Sequence, residues 1–221
     1  MFKITFILFL GTLLLNSCNG LENNNLVKDK VNSEIDNSFN LNEGNLLKDV
    51  NTYDSEGFIN ALIEIPTGTR EKWEVSKKTG QLELNSKKGK PRKIEYLPYP
   101  VNYGMIPNTL LPKEEGGDGD PLDIIVIGDP IPKGTVVPCR ILGVLKLLDK
   151  GEQDDKLIAI RAESQYYDVN NIQELDSAKN DLTKLIEIWF TNYKGPGKMV
   201  SQGYGDVSEA MHLLELSIVK N

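Results

Sequence analysis

The run Gly116-Gly117-Asp118-Gly119-Asp120-Pro121-Leu122-Asp123 places three carboxylates within six residues, directly ahead of the aliphatic stretch Ile124 to Ile127. Two ionised carboxylates about 4 Å apart repel by roughly 4 kcal/mol at an effective dielectric near 20. A folded chain keeps such a cluster when a cation neutralises it or a proton is shared. Oxygen donors at this density suit hard cations, Mg²⁺ above all. Asp118 and Asp120 are two residues apart, so an extended backbone aims both at one face. Asp123 has the other parity, and Gly119 and Pro121 supply the break that could swing it back. A calcium-loop reading starting at Asp118 fails, because Leu122 stands where a ligand is needed and Asp123 where the turn needs Gly. An acidic surface loop is the plain alternative. The strand behind the third aspartate favours a metal site at the mouth of a sheet.

The elements that must hold this site are legible as a series of short strands followed by helices. Phe58 to Ile65, Trp73 to Val75, Gln81 to Leu84, Ile94 to Tyr96, Leu122 to Ile127, Thr135 to Leu148 and Lys156 to Ala162 are β-branched, aromatic or alternating. Lys78-Thr79-Gly80, Lys88-Gly89-Lys90-Pro91 and Asp149-Lys150-Gly151-Glu152 read as the turns between them. Ser177 is an expected helix N-cap, with Leu182, Leu185, Ile186, Trp189, Phe190 and Tyr193 at helical spacing up to Gly195-Pro196-Gly197. Asp206 and Glu209 form a capping pair ahead of a second helix through Ile218. This order predicts an α+β domain built on a small β-barrel with C-terminal helices.

The ends carry a different signal. Lys3, the apolar run Ile4 to Leu15 and Leu15-Asn16-Ser17-Cys18 resemble a bacterial lipoprotein signal, residues 1–17, ending at a lipidated Cys18. Twelve apolar-rich residues are too few for a mature spanning helix. Residues 18–52 are rich in Asn, Asp, Glu, Lys and Ser and read as a flexible tether, with room for a short helix over Leu41 to Val50. The folded unit is then expected over residues 53–221. A net charge of −7 argues against nucleic acid as a partner. Cys139 is the only cysteine of that unit and reads as a buried apolar side chain. His212, the lone histidine, gives no support to a zinc site or a Ser-His pair.

From about Ile63 onward the chain resembles the soluble family I inorganic pyrophosphatases. Asp118-Gly119-Asp120-Pro121-Leu122-Asp123 stands at that family's three-aspartate signature. Ile63-Glu64-Ile65-Pro66, Lys72-Trp73-Glu74, Arg92, Tyr99-Pro100-Val101-Asn102-Tyr103-Gly104, Asp149 to Lys156 and Tyr193-Lys194 follow in the family's order and spacing. The resemblance implies an OB-like five-stranded barrel and a homo-oligomer. It also implies hydrolysis of pyrophosphate to two phosphates, with several Mg²⁺ ions in the site. In the same resemblance Asp118, Asp123 and Asp154 bind the first metal and Asp123 also reaches the second. Asp149, Glu64 and Glu74 serve later metals, and Asp120 is the general base. Lys72, Arg92, Lys156 and Lys194 hold the phosphates, with hydroxyl bonds from Tyr103 and Tyr193. Lys150 departs from the pattern, standing where many relatives have an acid.

Two other readings compete: an inactive envelope lipoprotein that keeps the barrel to bind phosphate or metal, and an oligonucleotide-binding barrel. The latter lacks the basic, aromatic face it would need. The expected location is the cell envelope, lipid-anchored to a bacterial membrane on its periplasmic or surface side; the alternative is the cytoplasm, as for most of the family.

Overall fold

The computed structural model describes residues 44–219, apart from residues 112, 114–115, 118 and 166–167. The expected signal segment, Cys18 and the first part of the tether lie outside the described residues, as does Asp118.

Five strands close on themselves. Strand β1 (Ile59–Ile65) is followed by two small hairpins, β2 (Trp73–Val75) with β3 (Leu82–Leu84) and β4 (Ser86–Lys87) with β5 (Lys90–Pro91). Then come β6 (Asn102–Met105), β7 (Asp123–Ile127), β8 (Val136–Asp149), β9 (Glu152–Gln153) and β10 (Lys156–Arg161). Neighbours run β1-β6-β7-β10-β8, and β8 returns to pair with β1, completing the ring. β8 can close it because its 14 residues serve several partners in turn: β1 at its start, β10 along its middle, β9 and β11 (Met199–Gly205) at its end. Closure removes the exposed edges of an open sheet. This is the α+β, OB-like architecture expected.

Both faces of the central strands are apolar. Ile124, Val126, Leu157 and Ala159 join one buried cluster, while Ile125, Ile127, Ile158 and Ile160 join another. Successive strand residues point to opposite faces, so each strand contributes to both. The second cluster is covered by α1 (Ile172–Lys179) and α2 (Leu182–Asn192), through Ile172, Leu175, Ile186, Trp189 and Phe190. Helix α3 (Val207–Ser217) covers the first through Ala210, Leu213 and Leu214.

Several local expectations are corrected. Ser177 lies inside α1, whose N-cap is Asn171, accepting from the Glu174 N–H. The helical run is broken at Asn180 and Asp181, both in the left-handed region. Ile94 to Tyr96 forms no strand; the Arg70 guanidinium binds the carbonyls of Ile94 and Tyr96 at 3.0 and 3.1 Å instead. The expected Asp206–Glu209 pair, by contrast, is present as a full capping box. The packed chain also starts ahead of Tyr53: Leu46 and Val50 are buried, in a turn rather than a helix.

Candidate active site

The aspartate run feeds β7, and the parallel pairing of β7 with β10 sets Asp123 beside Lys156 in register. Lys156 is the first residue of β10, and Asp154 lies two residues before it. The Lys156 side chain is 1% exposed, with Nζ 2.5 Å from Asp123 Oδ2 and 2.5 Å from Asp154 Oδ1. Burial alone would lower the Lys156 pKa, but the two carboxylates outweigh it and hold the ammonium well above the ordinary lysine range. Burial likewise opposes ionisation of Asp154, and Lys156 with Lys194 pull its pKa below the usual value. Lys194, just past α2, reaches Asp149 Oδ2 at 2.7 Å and Asp154 Oδ2 at 3.5 Å.

Glu64 enters from β1 through a bulge. Ile63 pairs with Gly104 and Ile65 with Tyr103, so Glu64 is the extra residue that the ladder skips. Gly104 permits this approach, since a Cβ there would collide with the carbonyl oxygen of Leu62. Glu64 Oε1 accepts from the Val75 N–H at 2.7 Å. Burial pushes its pKa up to about 8, helped by Asp123 and Glu74 and opposed by the Val75 N–H and Lys72.

The β2–β3 hairpin supplies the facing wall. Lys72 and Glu74 share a face and pair at 3.3 Å. The Asn85 side-chain amide donates to Glu74. From the turn of the hairpin Lys77 reaches the acidic loop, pairing with Asp120 and donating to the Gly119 carbonyl at 3.1 Å. Together these walls enclose a cleft of about 720 Å³. Glu64, Lys72, Glu74, Tyr103, Asp120, Asp123, Asp149, Asp154, Tyr193 and Lys194 all line it. Arg92 and Lys156 are not in that lining: Lys156 is buried against Asp123 and Asp154, while the Arg92 charge acts on the Tyr99 hydroxyl and its carbonyl accepts from the Lys72 N–H at 3.0 Å.

Aromatic packing fixes the two tyrosines. The Tyr193 ring stacks on Trp189, one helical turn earlier, with centroids 4.8 Å apart. Tyr103 packs on Tyr99 and Phe190, and the Trp189 indole donates to the Leu97 carbonyl at 3.2 Å. Burial drives the Tyr103 hydroxyl well above its ordinary pKa, reinforced by Asp123 and Asp154.

The donor set fits a hard divalent cation. Acidic oxygens line the cleft with no thiol or imidazole among them, and Asp149 Oδ1 is buried with no hydrogen-bond partner among the described residues. Among those residues no three acidic, His or Cys side chains converge on one point as a metal cage, Lys156 standing between Asp123 and Asp154.

A family model described as inorganic pyrophosphatase matches residues 61–220. The chain belongs to the inorganic pyrophosphatase family. An inorganic pyrophosphatase from Campylobacter jejuni is 36% identical over 167 residues, covering 72% of this chain and 90% of that protein. The solved inorganic pyrophosphatase of Helicobacter pylori superposes with a TM-score of 0.65 at 30% identity, covering 77% of this chain and 97% of that one. The type I inorganic pyrophosphatase from P falciparum gives a TM-score of 0.71 at 29% identity, with 77% of this chain matching 60% of that longer one.

Against this family frame, two residues that sequence reasoning passed over stand out. Lys77 joins the hairpin to the acidic loop, and nothing in its surface-like context signals that. Asn102 is fully buried. Its oxygen accepts from the N–H groups of Thr67 and Ile131, and its amide donates to the carbonyls of Val126 and Asp129. Its place inside the Tyr99-to-Gly104 motif was the available signal.

Proposed function

We propose that this protein is an enzyme that hydrolyses inorganic pyrophosphate to two phosphates, with Mg²⁺ bound in a carboxylate cleft. The observation that carries this reading is the alternation of the two charge signs at one cleft: Lys194 on Asp149 and Lys72 on Glu74 in its lining, with buried Lys156 held by two of its carboxylates, Asp123 and Asp154. Such a lining complements a metal salt of a compact polyanion, offering carboxylates to the metal and ammonium groups to the phosphates.

Asp118, Asp123 and Asp154 would hold the first Mg²⁺, Asp123 also the second, and Asp149, Glu64 and Glu74 those that arrive with substrate. Bound Mg²⁺ supplies charge neutralisation and lowers the pKa of a water that it holds. Asp120 takes the proton from the attacking water as general base. Lys72, Lys156 and Lys194 would hold phosphate oxygens as point charges, and Arg92 would offer a bidentate contact. Tyr103 and Tyr193 would add hydroxyl hydrogen bonds to the phosphates. The inactive-module alternative is not favoured by these comparisons or by the acidic and basic side chains that line the cleft.

The test is phosphate release from pyrophosphate. Release with Mg²⁺ that stops in EDTA is expected; folded, Mg²⁺-loaded protein that releases none would overturn the assignment.

We further propose that residues 1–17 are a signal peptide, that Cys18 is lipidated, and that residues 18–43 tether a homo-oligomeric catalytic domain to the envelope. The support is the Leu15-Asn16-Ser17-Cys18 sequence itself. Among the described residues no helix is long and apolar enough to cross a membrane. Intact-mass analysis of membrane-extracted protein decides the point: Cys18→Ser should remove a lipid mass, and cleavage elsewhere with no lipid mass in the wild type would sink the lipoprotein assignment.

A further inference from the structure

The β2–β3 hairpin carries one wall of the cleft, yet it is a separate two-stranded sheet outside the hydrogen-bonded ring. Two strands of three residues are too short to stand on their own. Something else must hold them. On one side the hairpin is fixed by Glu64, which accepts from Val75 N–H, and by Lys133, whose Nζ lies 3.2 Å from the centre of the Trp73 ring. On the other side it is fixed by the chain ahead of the barrel.

Residues 44–52 precede the family-matched region, which begins at residue 61. The Leu46 N–H donates to the carbonyl of Gly80 at 2.8 Å, and the Gln81 side-chain amide donates to the carbonyl of Gly44. Leu46 is fully buried in a cluster of its own with Val50, Leu62, Val75 and Met105, against which Leu82 also packs. Val75 and Met105 are themselves cleft-lining residues. The Asn45 side chain occupies the space over Gly80 where any larger residue would put its Cβ.

The far end of this segment is fastened independently. Asn108, in the left-handed region, donates from its backbone to the Leu47 carbonyl at 3.0 Å. Its side chain donates to the carbonyls of Lys48 and Val50 at 3.1 and 2.8 Å. The Thr52 hydroxyl donates to the Pro107 carbonyl at 3.0 Å. A segment tied to the barrel at one end and to the hairpin at the other acts as a brace.

We propose that residues 44–52 are a strap that positions the β2–β3 hairpin, and with it Lys72, Glu74 and Lys77, on the substrate side of the cleft. The strap is a positioning element: it touches neither substrate nor metal and acts through the hairpin. An incidental lead-in would contribute to overall stability without a selective effect on residues 73–84. The strap also places the start of the folded unit ahead of Tyr53, so that a chain begun at Tyr53 would lose part of its substrate wall.

The test uses the full chain with Leu46→Ala, Leu46→Met and Gln81→Ala, and Leu214→Ala in α3 as a core-truncation control in a different cluster. Hydrogen exchange and steady-state kinetics are read on each. For Leu46→Ala the hairpin amides should exchange about 100-fold faster, as expected for losing a buried leucine from a locally opening unit, while β7 and β10 change little. The KM for magnesium pyrophosphate should rise about fivefold with a smaller change in kcat. Gln81→Ala opens no core cavity, and should move both readouts the same way by a lesser amount. Leu46→Met should restore them. Leu214→Ala should lower Tm without a selective effect on hairpin exchange or KM.

Uniform acceleration across hairpin and ring, or an unchanged KM, overturns the strap. The kinetic arm rests on the pyrophosphatase reading and the exchange arm does not. If the wild type releases no phosphate, that reading fails while exchange still decides the strap.

Discussion

Replacing Lys156 with Met removes one cation and leaves two carboxylates facing each other in a buried place. The Asp123 and Asp154 oxygens that Lys156 holds lie no more than about 5 Å apart, since each is 2.5 Å from Nζ. At that separation and an effective dielectric near 20 they repel by about 3 kcal/mol. Breaking a buried ion pair by removing one partner costs about 3–5 kcal/mol, and the repulsion is part of that figure. For a folded unit of this size the loss corresponds to a fall in Tm of roughly 6–20 °C in EDTA. The pH dependence gives the sharper test. In the wild type the pKa of Asp154 is held below 3.8, so its contribution is present above the ordinary carboxylate value and lost as pH falls through the lower folded one. Lys156, with its pKa raised, contributes below the ordinary lysine value and loses that only at strongly alkaline pH. Without Lys156 the facing carboxylates favour a shared proton, so stability in EDTA should fall as pH rises from about 4 to 7. Thermal unfolding in EDTA across that range decides it, and added Mg²⁺ should recover part of the loss. If Lys156→Met matches the wild-type Tm, or gains stability from pH 4 to 7 in parallel with it, the electrostatic reasoning is wrong.

Asp120→Asn should slow turnover by roughly 10²–10⁴ while leaving the Mg²⁺ requirement near normal, as befits a proton acceptor. Asp123→Asn should raise the Mg²⁺ requirement as well as cut the rate; a Mg²⁺ titration in which only Asp120→Asn is rescued would reverse the two roles. Glu64, raised from 4.5 to about 8, stabilises the metal-free fold at low pH and loses that contribution as pH rises between those values. Glu64→Gln should therefore flatten the EDTA stability curve between about pH 5 and 8, and an unchanged slope there would contradict the assignment. Asn102→Ala orphans two N–H groups and two carbonyls and should cost about 3–5 kcal/mol in urea unfolding; a loss below about 1 kcal/mol would mean that water replaces the amide.

The sequence was most readable where a single residue type decides the outcome. Strands β1, β7, β8 and β10 announce themselves by Ile and Val density, and the α3 capping box by Asp206 and Glu209. Strand β6 escaped because Asn102-Tyr103-Gly104-Met105 is short and centred on a glycine whose purpose is a close approach to Leu62, visible only in three dimensions. Strand β11 escaped because Met199 to Gly205 carries two glycines and reads as a loop. The break between α1 and α2 rests on Asn180 and Asp181 adopting positive φ, a backbone choice that helical spacing alone does not reveal. Residues 44–52 look like a polar tether because only Leu46, Leu47 and Val50 are apolar, yet two of those three are buried. In the site, residue identity came through the motifs, but adjacency did not. That Lys156 lies between Asp123 and Asp154 follows from the parallel register of β7 on β10, a pairing across more than thirty residues of chain.

Opposite charges interleave at the cleft instead of segregating to opposite walls. Each of Lys72, Lys77, Lys156 and Lys194 is paired with a carboxylate: Glu74, Asp120, Asp123 with Asp154, and Asp149. A cleft of acids alone would bind cations but would repel pyrophosphate, and one of lysines alone would do the reverse. Pairing offsets part of the acidic charge of the cleft, whose lining carries more carboxylates than lysines. In the proposed function one exchange would satisfy both sets, the carboxylates serving the metal and the ammonium groups the phosphates. The same logic ranks the lysines. Lys77 and Lys72 sit on the strapped hairpin and are the more exposed, so they can change partners at little cost, while Lys156 is buried and bound by two carboxylates. It is therefore the group whose partner exchange would set the energetic threshold for filling the site.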